Sequence, residues 1–188
     1  DHRDLHSFPT RRSSDLSCDI YAPSVLAWET ARQVVTIRQE SGFPDNGRVA
    51  LEFELAEAQE FTLRVRIPRY ATAPVAVLLN GQELAVGQPG SYVVLYRQWR
   101  DGDRLTLTVP MGFAPHPYQG DNAVDGYERC SYTYGPLLMA VVGPRNHENG
   151  IALPGSGATL IERLTAGDAP LDRKSIRLNS SHGKLSRM

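Results

Sequence analysis

The stretch from Phe61 to Met111 constrains the fold most strongly, because apolar and polar residues alternate along it with a period of two. Apolar side chains occupy every odd position of 61–67, so one face of an extended segment can be buried while the other meets water. A tight hairpin is predicted at Asn80-Gly81, the pair that most readily takes positive φ at both central positions. With the turn at 100–103, the pattern predicts antiparallel strands at 61–67, 75–79, 92–99 and 105–109.

The flanking segments extend the same β-rich pattern. Strands are predicted at 34–38 and 49–55, and strand character resumes at 132–142. Residues 110–126 are predicted to form a long irregular loop, because they carry three prolines. The short apolar piece at 158–164 is compatible with either a strand or a helix.

The spacing of these strands and turns favours a sandwich over a βαβ fold. We therefore predict an all-β protein, an antiparallel β-sandwich, over residues 17–112. Over residues 113–171 we predict a long loop plus strands that form part of a second β-sandwich region.

Five phrases in this order and spacing resemble glycoside hydrolase family 127, the β-L-arabinofuranosidase-like family. They lie at Ile20–Ser24, Leu63–Pro68, Leu79–Gly81, Tyr96–Leu105 and Tyr134–Leu138. The resemblance runs from about Ile20 to Val142 and implies the β-sandwich region that follows the helical catalytic barrel in that family. The expected function is then a non-catalytic portion of a bacterial glycoside hydrolase of carbohydrate metabolism, which supports the catalytic domain and frames substrate.

The same resemblance implies a cysteine nucleophile beside a zinc ion held by cysteines and a glutamate, all in the helical domain and marked by adjacent cysteines. This chain has no Cys-Cys pair, and neither Cys18 nor Cys130 matches the nucleophile. We therefore expect zinc in the catalytic domain and none in this chain, and we assign no catalytic, cofactor-binding or metal-binding residue. The expected partners are that N-terminal catalytic domain and plant-type glycans that contain arabinose.

Both ends of the chain resemble translated sequencing-library adapters. The run His6–Leu16 matches eleven codons of one adapter, and Asp172–His182 matches its partner except at Ile176. Residues 1–16 and 172–188 are therefore predicted to be non-native segments.

Composition changes at these predicted limits. Residues 17–171 hold twelve arginines and no lysine against seventeen acidic residues, a formal charge of about −5. A mildly acidic domain attracts neither phosphate backbones nor anionic membranes, so we expect no nucleic-acid or membrane partner. Localisation is not predicted, because any export signal would lie upstream of Ser17.

Carboxylates are candidate acid–base residues, because glycoside hydrolysis ordinarily needs two of them across the sugar. Glu52 and Glu54 are predicted to point outward from a strand, and Asp101 and Asp103 flank a turn glycine, so surface or turn roles are expected for all four. The carboxylates in the long loop are better placed to touch a ligand; they are Asp121, Asp125 and Glu128.

Cysteines and histidines give weaker signals. Cys18 and Cys130 are expected to be free thiols that behave as small apolar groups, and too few cysteines are present for a disulfide framework. His116 and His147 are expected to be surface loop residues.

Aromatic side chains give the remaining functional lead, because sugar-binding sandwiches place aromatic faces against sugar rings. Tyr92, Val94 and Tyr96 are predicted to share one strand face, with Val93 and Leu95 on the other. The other candidates are Trp28, Trp99, Tyr118, Tyr127, Tyr132 and Tyr134. These rings either contact sugar or cover the core and the interface with the catalytic domain. A free-standing carbohydrate-binding module or an interaction sandwich therefore stays open as an alternative function.

Overall fold

The computed structural model describes residues 15–121 and 129–139, together with the backbone of two short strands at 164–165 and 177–178. Every regular element in these residues is a β-strand, and no helix there could span a membrane. In chain order the strands are β1 Asp15–Cys18, β2 Ser24–Glu29, β3 Val34–Ser41, β4 Arg48–Glu54, β5 Gln59–Arg66, β6 Val75–Leu79, β7 Gln82–Gly87, β8 Tyr92–Trp99, β9 Arg104–Thr108, β10 Phe113–Pro117, β11 Cys130–Tyr134, β12 Leu137–Met139, β13 Leu164–Thr165 and β14 Arg177–Leu178.

The chain divides into two compact units, Asp1–Pro110 and Met111–Met188. In the first unit, six strands form an antiparallel sheet in the order β2-β3-β4-β9-β6-β7. The second sheet of this unit has the order β1-β5-β8, in which β5 and β8 are antiparallel and β1 runs parallel to β5. The predicted all-β sandwich is therefore confirmed.

The core of the first unit lies between the two sheets and follows the alternation in the sequence. On β5, Phe61, Leu63 and Val65 are buried with no exposed surface, while the residues between them are wholly or partly exposed. The rings of Phe53, Phe61 and Trp99 form the centre, and Phe53 stacks on Trp99 at 4.4 Å between ring centroids. The indole nitrogen of Trp99 donates a hydrogen bond to the Phe61 carbonyl at 3.1 Å, so its one polar atom is satisfied inside the core.

The predicted hairpin turn is confirmed at Asn80 and Gly81, which have φ angles of 51° and 84°. Asn80 also ties this turn to the next one. Its Nδ2 donates to Oδ1 of Asp103 at 2.9 Å, and its Oδ1 accepts from the Arg104 backbone amide at 2.8 Å. Two turns at the same end of the sandwich are therefore locked together by side-chain hydrogen bonds.

Strands β2 and β7 have no predicted counterpart. Most side chains of both strands are exposed, so their sequences lack the alternation of apolar and polar residues that predicts a strand. They form the two edges of the six-stranded sheet. The prediction of an uninterrupted loop at 110–126 is wrong, because β10 lies within it. Pro115 and Pro117 are tolerated there since β10 pairs only with β11 at the edge of its sheet.

In the second unit, β10, β11 and β12 form an antiparallel sheet in that order. The predicted strand at 132–142 is interrupted by a turn at Gly135, whose φ of 54° suits a residue without a side chain. Strands β13 and β14 pair with each other. The predicted apolar piece at 158–164 lies outside the described residues except for Leu164.

The adapter-like segments fall mostly outside the described residues. At the N-terminal side, β1 begins at Asp15, so the last two residues of the predicted segment 1–16 pair with Thr62 and Leu63 of β5. Leu16 packs against the core. The non-native origin of this segment stays a prediction.

Candidate functional site

The best candidate site is the solvent side of the three-stranded sheet, which we name the β5–β8 face and which is formed by alternate residues from Glu60 to Arg66 and from Tyr92 to Gln98. Tyr92, Val94 and Tyr96 point outward with 46, 55 and 70% of their surface exposed. Val93 and Leu95, between them, are buried. The predicted division of this strand into two faces is thus confirmed, and an apolar stripe is left on the outside of the sandwich.

Carboxylates orient the two tyrosines of this face. The hydroxyl of Tyr96 donates to Oε2 of Glu60 at 3.2 Å, and that of Tyr92 donates to Oδ1 of Asp19 at 2.7 Å. These hydrogen bonds are the main reason that the pKa of each tyrosine is raised above its ordinary value. The guanidinium of Arg64 also lies over the Tyr92 ring, 5.9 Å from its centroid. Each hydroxyl is therefore anchored to a carboxylate.

A shallow depression of about 1060 Å³ lies on this face, around Tyr96. Its lining combines one exposed aromatic ring, small apolar groups and several charged or amide side chains, namely Asp15, Arg32, Ala58, Gln59, Glu60, Thr62, Arg64, Val94, Tyr96 and Gln98. A depression with one aromatic surface and many hydrogen-bonding groups can hold a polar ligand that also has an apolar face.

The outer side of the six-stranded sheet has a different chemistry. Arg104 lies 2.9 Å from Glu40 and 3.9 Å from Glu52, and Arg38 lies 3.4 Å from Glu54. Opposite charges thus pair across this half-exposed surface, between neighbouring strands for Arg104–Glu52 and Arg38–Glu54 and across β4 for Arg104–Glu40. This pattern is typical of a solvated sheet face.

The strand and turn carboxylates have the structural roles predicted for them. Glu54 is exposed and Glu52 is partly exposed, both on the outer side of β4. Oδ1 of Asp101 accepts from the Leu55 amide at 3.0 Å, and Oδ2 of Asp103 accepts from the Arg100 amide at 2.9 Å. Asp103 is only 5% exposed, so it stabilises the turn from inside the protein.

Of the loop carboxylates, Asp121 is exposed, and Asp125 and Glu128 lie outside the described residues. His116 is in β10, with Nε2 2.9 Å from the Thr133 hydroxyl. The prediction that His116 lies in a loop is wrong, because it belongs to β10, which pairs with β11. His147 lies outside the described residues.

The two cysteines are free thiols, as predicted. The Cys18 thiol donates to Oε1 of Gln39 at 3.0 Å, and that of Cys130 is 3.5 Å from the Ser131 carbonyl. Within residues 15–121 and 129–139, no three histidine, cysteine or acidic side chains converge as metal ligands do. The described residues therefore do not fit the zinc site that the resemblance implies.

Burial, and secondarily the charge of Asp19, raises the pKa of the Cys18 thiol from 9.0 to about 12. The unfolded chain then loses this proton at a lower pH than the folded protein, so stability falls as pH rises. The contribution is fully present below pH 9 and is lost between pH 9 and 12, by up to about 1.4 kcal/mol per pH unit.

We therefore expect the urea midpoint of the wild-type protein to fall more steeply between pH 9 and 11 than that of Cys18→Ala. Burial and the charge of Cys18 raise the pKa of Tyr21, so the difference reports the thiol together with its coupling to Tyr21. The Cys130→Ala variant is the control and should keep the wild-type slope. Equal slopes for wild type and Cys18→Ala would contradict this assignment.

Most of the other predicted aromatic residues that the structure describes contact neighbouring side chains. Trp99 is in the core, and Trp28 meets Phe61 edge to face at 5.4 Å. In the second unit, Tyr134 packs on Phe113 and the Tyr118 ring faces the Arg129 guanidinium at 5.0 Å. Tyr132 is partly buried in β11, and Tyr127 lies outside the described residues. Of the predicted aromatics that the structure describes, only Tyr92 and Tyr96 share an exposed sheet face with a depression.

Sequence reasoning missed the polar partners of that face. Glu60 and Arg64 come from β5 and Asp19 from the segment after β1, and they reach the tyrosines only because β5 pairs with β8 in a particular register. The alternation along β5 was enough to predict that Arg64 and Arg66 lie on the same outward face. Their positions opposite Val94 and Tyr92 could not be predicted, because they depend on the register between β5 and β8.

Comparison with known sequences gives a match to one family model. It is described as "Beta-L-arabinofuranosidase, GH127 middle domain" and covers residues 15–111, which form the sandwich. No curated protein matches the chain.

Solved structures also match. A GH127 β-L-arabinofuranosidase from Geobacillus stearothermophilus is 28% identical, with a TM-score of 0.55 over 68% of this chain and 20% of that one. A GH127 β-arabinofuranosidase and a further glycoside hydrolase are each 22% identical and share the fold, with TM-scores of 0.54 and 0.52. They cover 66 and 65% of this chain, and 22 and 20% of their own. This chain therefore spans about a fifth of the length of these structures.

Proposed function

Since this chain belongs to glycoside hydrolase family 127, whose middle-domain sequence it carries over residues 15–111, we propose that it is the non-catalytic β-sandwich portion of a β-L-arabinofuranosidase-like enzyme. Its role is to support a helical catalytic domain and to frame the substrate. The observation that carries the proposal is the coincidence of the family match with the folded sandwich.

The chemistry of the described residues supports a non-catalytic role. Asp101 and Asp103 hold turns, and the carboxylates of β3 and β4 pair with arginines on a solvated surface. Glycoside hydrolysis needs two carboxylates, or a nucleophile with its activating partners, set across a sugar. Among the described residues, these carboxylates serve turns or ion pairs, and the two thiols contact a glutamine and a backbone carbonyl. The nucleophile, the zinc site and the bond cleavage are therefore proposed for the catalytic domain.

The β5–β8 face supports a framing or docking role. Solvent-exposed Tyr96 and Val94 lie beside a depression that also offers hydrogen-bonding groups. The middle strands of the other sheet present paired charges to water, while its edge strands β2 and β7 expose apolar side chains such as Val25 and Val86. An exposed aromatic ring beside a depression with polar groups is a feature of ligand-binding surfaces. The same exposed tyrosines are the observation that favours the second candidate, a free-standing carbohydrate-binding module.

We expect the isolated 188-residue chain to release no arabinose from an aryl β-L-arabinofuranoside. Among residues 15–121 and 129–139, the thiols contact no base that would activate a nucleophile: Cys18 hydrogen-bonds a buried glutamine, and Cys130 lies near a backbone carbonyl. The assay measures released sugar with excess protein over long incubation, with and without added zinc. Turnover that Cys130→Ala or Cys18→Ala abolishes would refute the proposal.

The reading frame upstream of Ser17 separates the two candidates. For a family 127 enzyme we expect several hundred residues of helical sequence with an adjacent cysteine pair. A start codon and leader directly before the sandwich would instead identify a free-standing module.

A further inference from the structure

We infer that the β5–β8 face binds a neutral oligosaccharide, with the ring of Tyr96 as its central contact. This rests on the proposed function and deepens it, because it names the surface and the ligand class by which the sandwich frames substrate.

Tyr96 has the properties of a sugar-stacking residue. Tyr96 is 70% exposed, and the hydrogen bond from its hydroxyl to Glu60 restricts the orientation of the ring. An aromatic ring held in one orientation loses little conformational entropy when a ligand covers it. The C–H groups on one face of a sugar ring can then pack on it, with Val94 extending the apolar surface.

The spacing of the exposed rings fits a chain of sugars better than a single one. Tyr92 and Tyr96 are four positions apart on β8 and on the same face, which places their Cα atoms about 13 Å apart along an extended strand. That span is longer than one sugar ring. Arg64 covers part of the Tyr92 ring, so the surface near Tyr92 offers a guanidinium as well as an aromatic edge.

The polar lining fits hydroxyl groups. Gln98 can donate and accept hydrogen bonds, Glu60 accepts and Arg64 donates. The Oε1 of Gln59 already accepts from Thr30 and Gln33, so Gln59 offers its amide N–H groups. Sugar hydroxyls act as donor and acceptor at once, so they can use all of these groups. A purely apolar ligand would leave them unpaired, at a cost in binding free energy.

The charge of the lining favours a neutral ligand. Asp15 and Glu60 balance Arg32 and Arg64, so the depression has no net formal charge. If Asp15 is left out because it falls in the adapter-like segment, the lining has a net formal charge of +1. A site for phosphate or sulfate groups would concentrate arginine or lysine, as anion-binding surfaces do.

The test uses the complete 188-residue chain and calorimetric titration with a linear arabino-oligosaccharide of eight units. We expect measurable binding by the wild-type protein and about tenfold weaker binding by Tyr96→Ala, because the stacking surface is removed. Tyr96→Phe keeps the ring and should bind within about threefold of the wild type. Tyr118→Ala removes a comparably exposed tyrosine from the second unit and should leave the affinity unchanged.

Circular dichroism and urea midpoints verify that each variant is folded. Three results would overturn the inference: no binding by the wild-type chain, equal affinity of wild type and Tyr96→Ala, or tighter binding of a sulfated oligosaccharide than of the neutral one.

A further arm separates this inference from the proposed function. The helical catalytic region that the proposed function places upstream is mixed with the chain and with Tyr96→Ala. If the wild-type chain binds no sugar but associates with that region, and Tyr96→Ala weakens the association, the face is an interdomain surface. The oligosaccharide inference is then wrong while the supporting role stands. Failure of the chain to associate, with sugar binding retained, would leave the inference and count against the supporting role.

Discussion

Replacing Trp99 by alanine is expected to lower the free energy of unfolding by about 3–5 kcal/mol, more than any of the other substitutions proposed for this protein. Trp99 has no exposed surface and stacks on Phe53 and Phe61, with centroid distances of 4.4 and 5.4 Å. Its removal leaves a cavity where the two sheets meet and deprives the Phe61 carbonyl of the indole hydrogen bond. Because domains are stable by only about 5–15 kcal/mol, much of the variant should be unfolded at moderate urea concentrations.

Urea denaturation followed by circular dichroism measures this effect, since the remaining tryptophan makes fluorescence a poor comparison. Tyr96→Ala is the matched control, because it removes an aromatic ring from the same strand on the exposed side and should cost less than about 1 kcal/mol. Trp99→Phe keeps a ring in the core and should lie between the two. A Trp99→Ala midpoint close to that of Tyr96→Ala would contradict the assignment of Trp99 to the core.

Asp103→Ala is expected to destabilise the protein by about 2–3 kcal/mol. The buried carboxylate accepts hydrogen bonds from the Arg100 amide and from Nδ2 of Asn80, both at 2.9 Å, and lies 3.9 Å from the Arg97 guanidinium. Alanine leaves these donors without their acceptor and separates the 100–103 turn from the Asn80-Gly81 turn. Hydrogen bonds to a charged group contribute more than neutral ones, so the loss exceeds that of an ordinary turn residue.

Glu54→Ala provides the comparison for Asp103→Ala. It also removes a carboxylate that pairs with an arginine, but the Arg38–Glu54 pair is about half exposed, and such pairs contribute at most about 1 kcal/mol. Urea midpoints in low and moderate salt should show a small, salt-sensitive effect for Glu54→Ala and a larger, less salt-sensitive effect for Asp103→Ala. The reverse order would show that Asp103 is not the residue that joins the two turns.

The predictions from sequence succeeded where one face of a strand is buried. Strands 75–79 and 92–99 coincide with β6 and β8, and the hairpin at Asn80-Gly81 has the expected positive φ angles. They failed at β1, β2, β7 and β10, none of which has the regular alternation of buried and exposed residues seen in β5. β8 is also an edge strand, but it was predicted because one of its faces is buried.

The candidate site could be predicted only in part. Alternation along 92–96 was enough to place Tyr92 and Tyr96 on one face, and the turn positions of Asp101 and Asp103 were enough to predict structural roles for them. The depression and its lining could not be derived, because Glu60, Arg64 and Arg32 are distant in sequence from Tyr96. They meet it only after β5 has paired with β8 in a register that each strand alone leaves open.

What the sequence by itself determined is which side of each central strand is buried, since a period-two pattern of apolar residues leaves a single favourable way to exclude water from that surface. Its turn residues also determined where those strands reverse. Only the tertiary structure decided which strands are neighbours and therefore which carboxylates and arginines surround the exposed tyrosines. The physical reason is that hydrophobic burial is nondirectional and acts on each strand separately, whereas a binding surface depends on the register between strands that lie far apart in the chain.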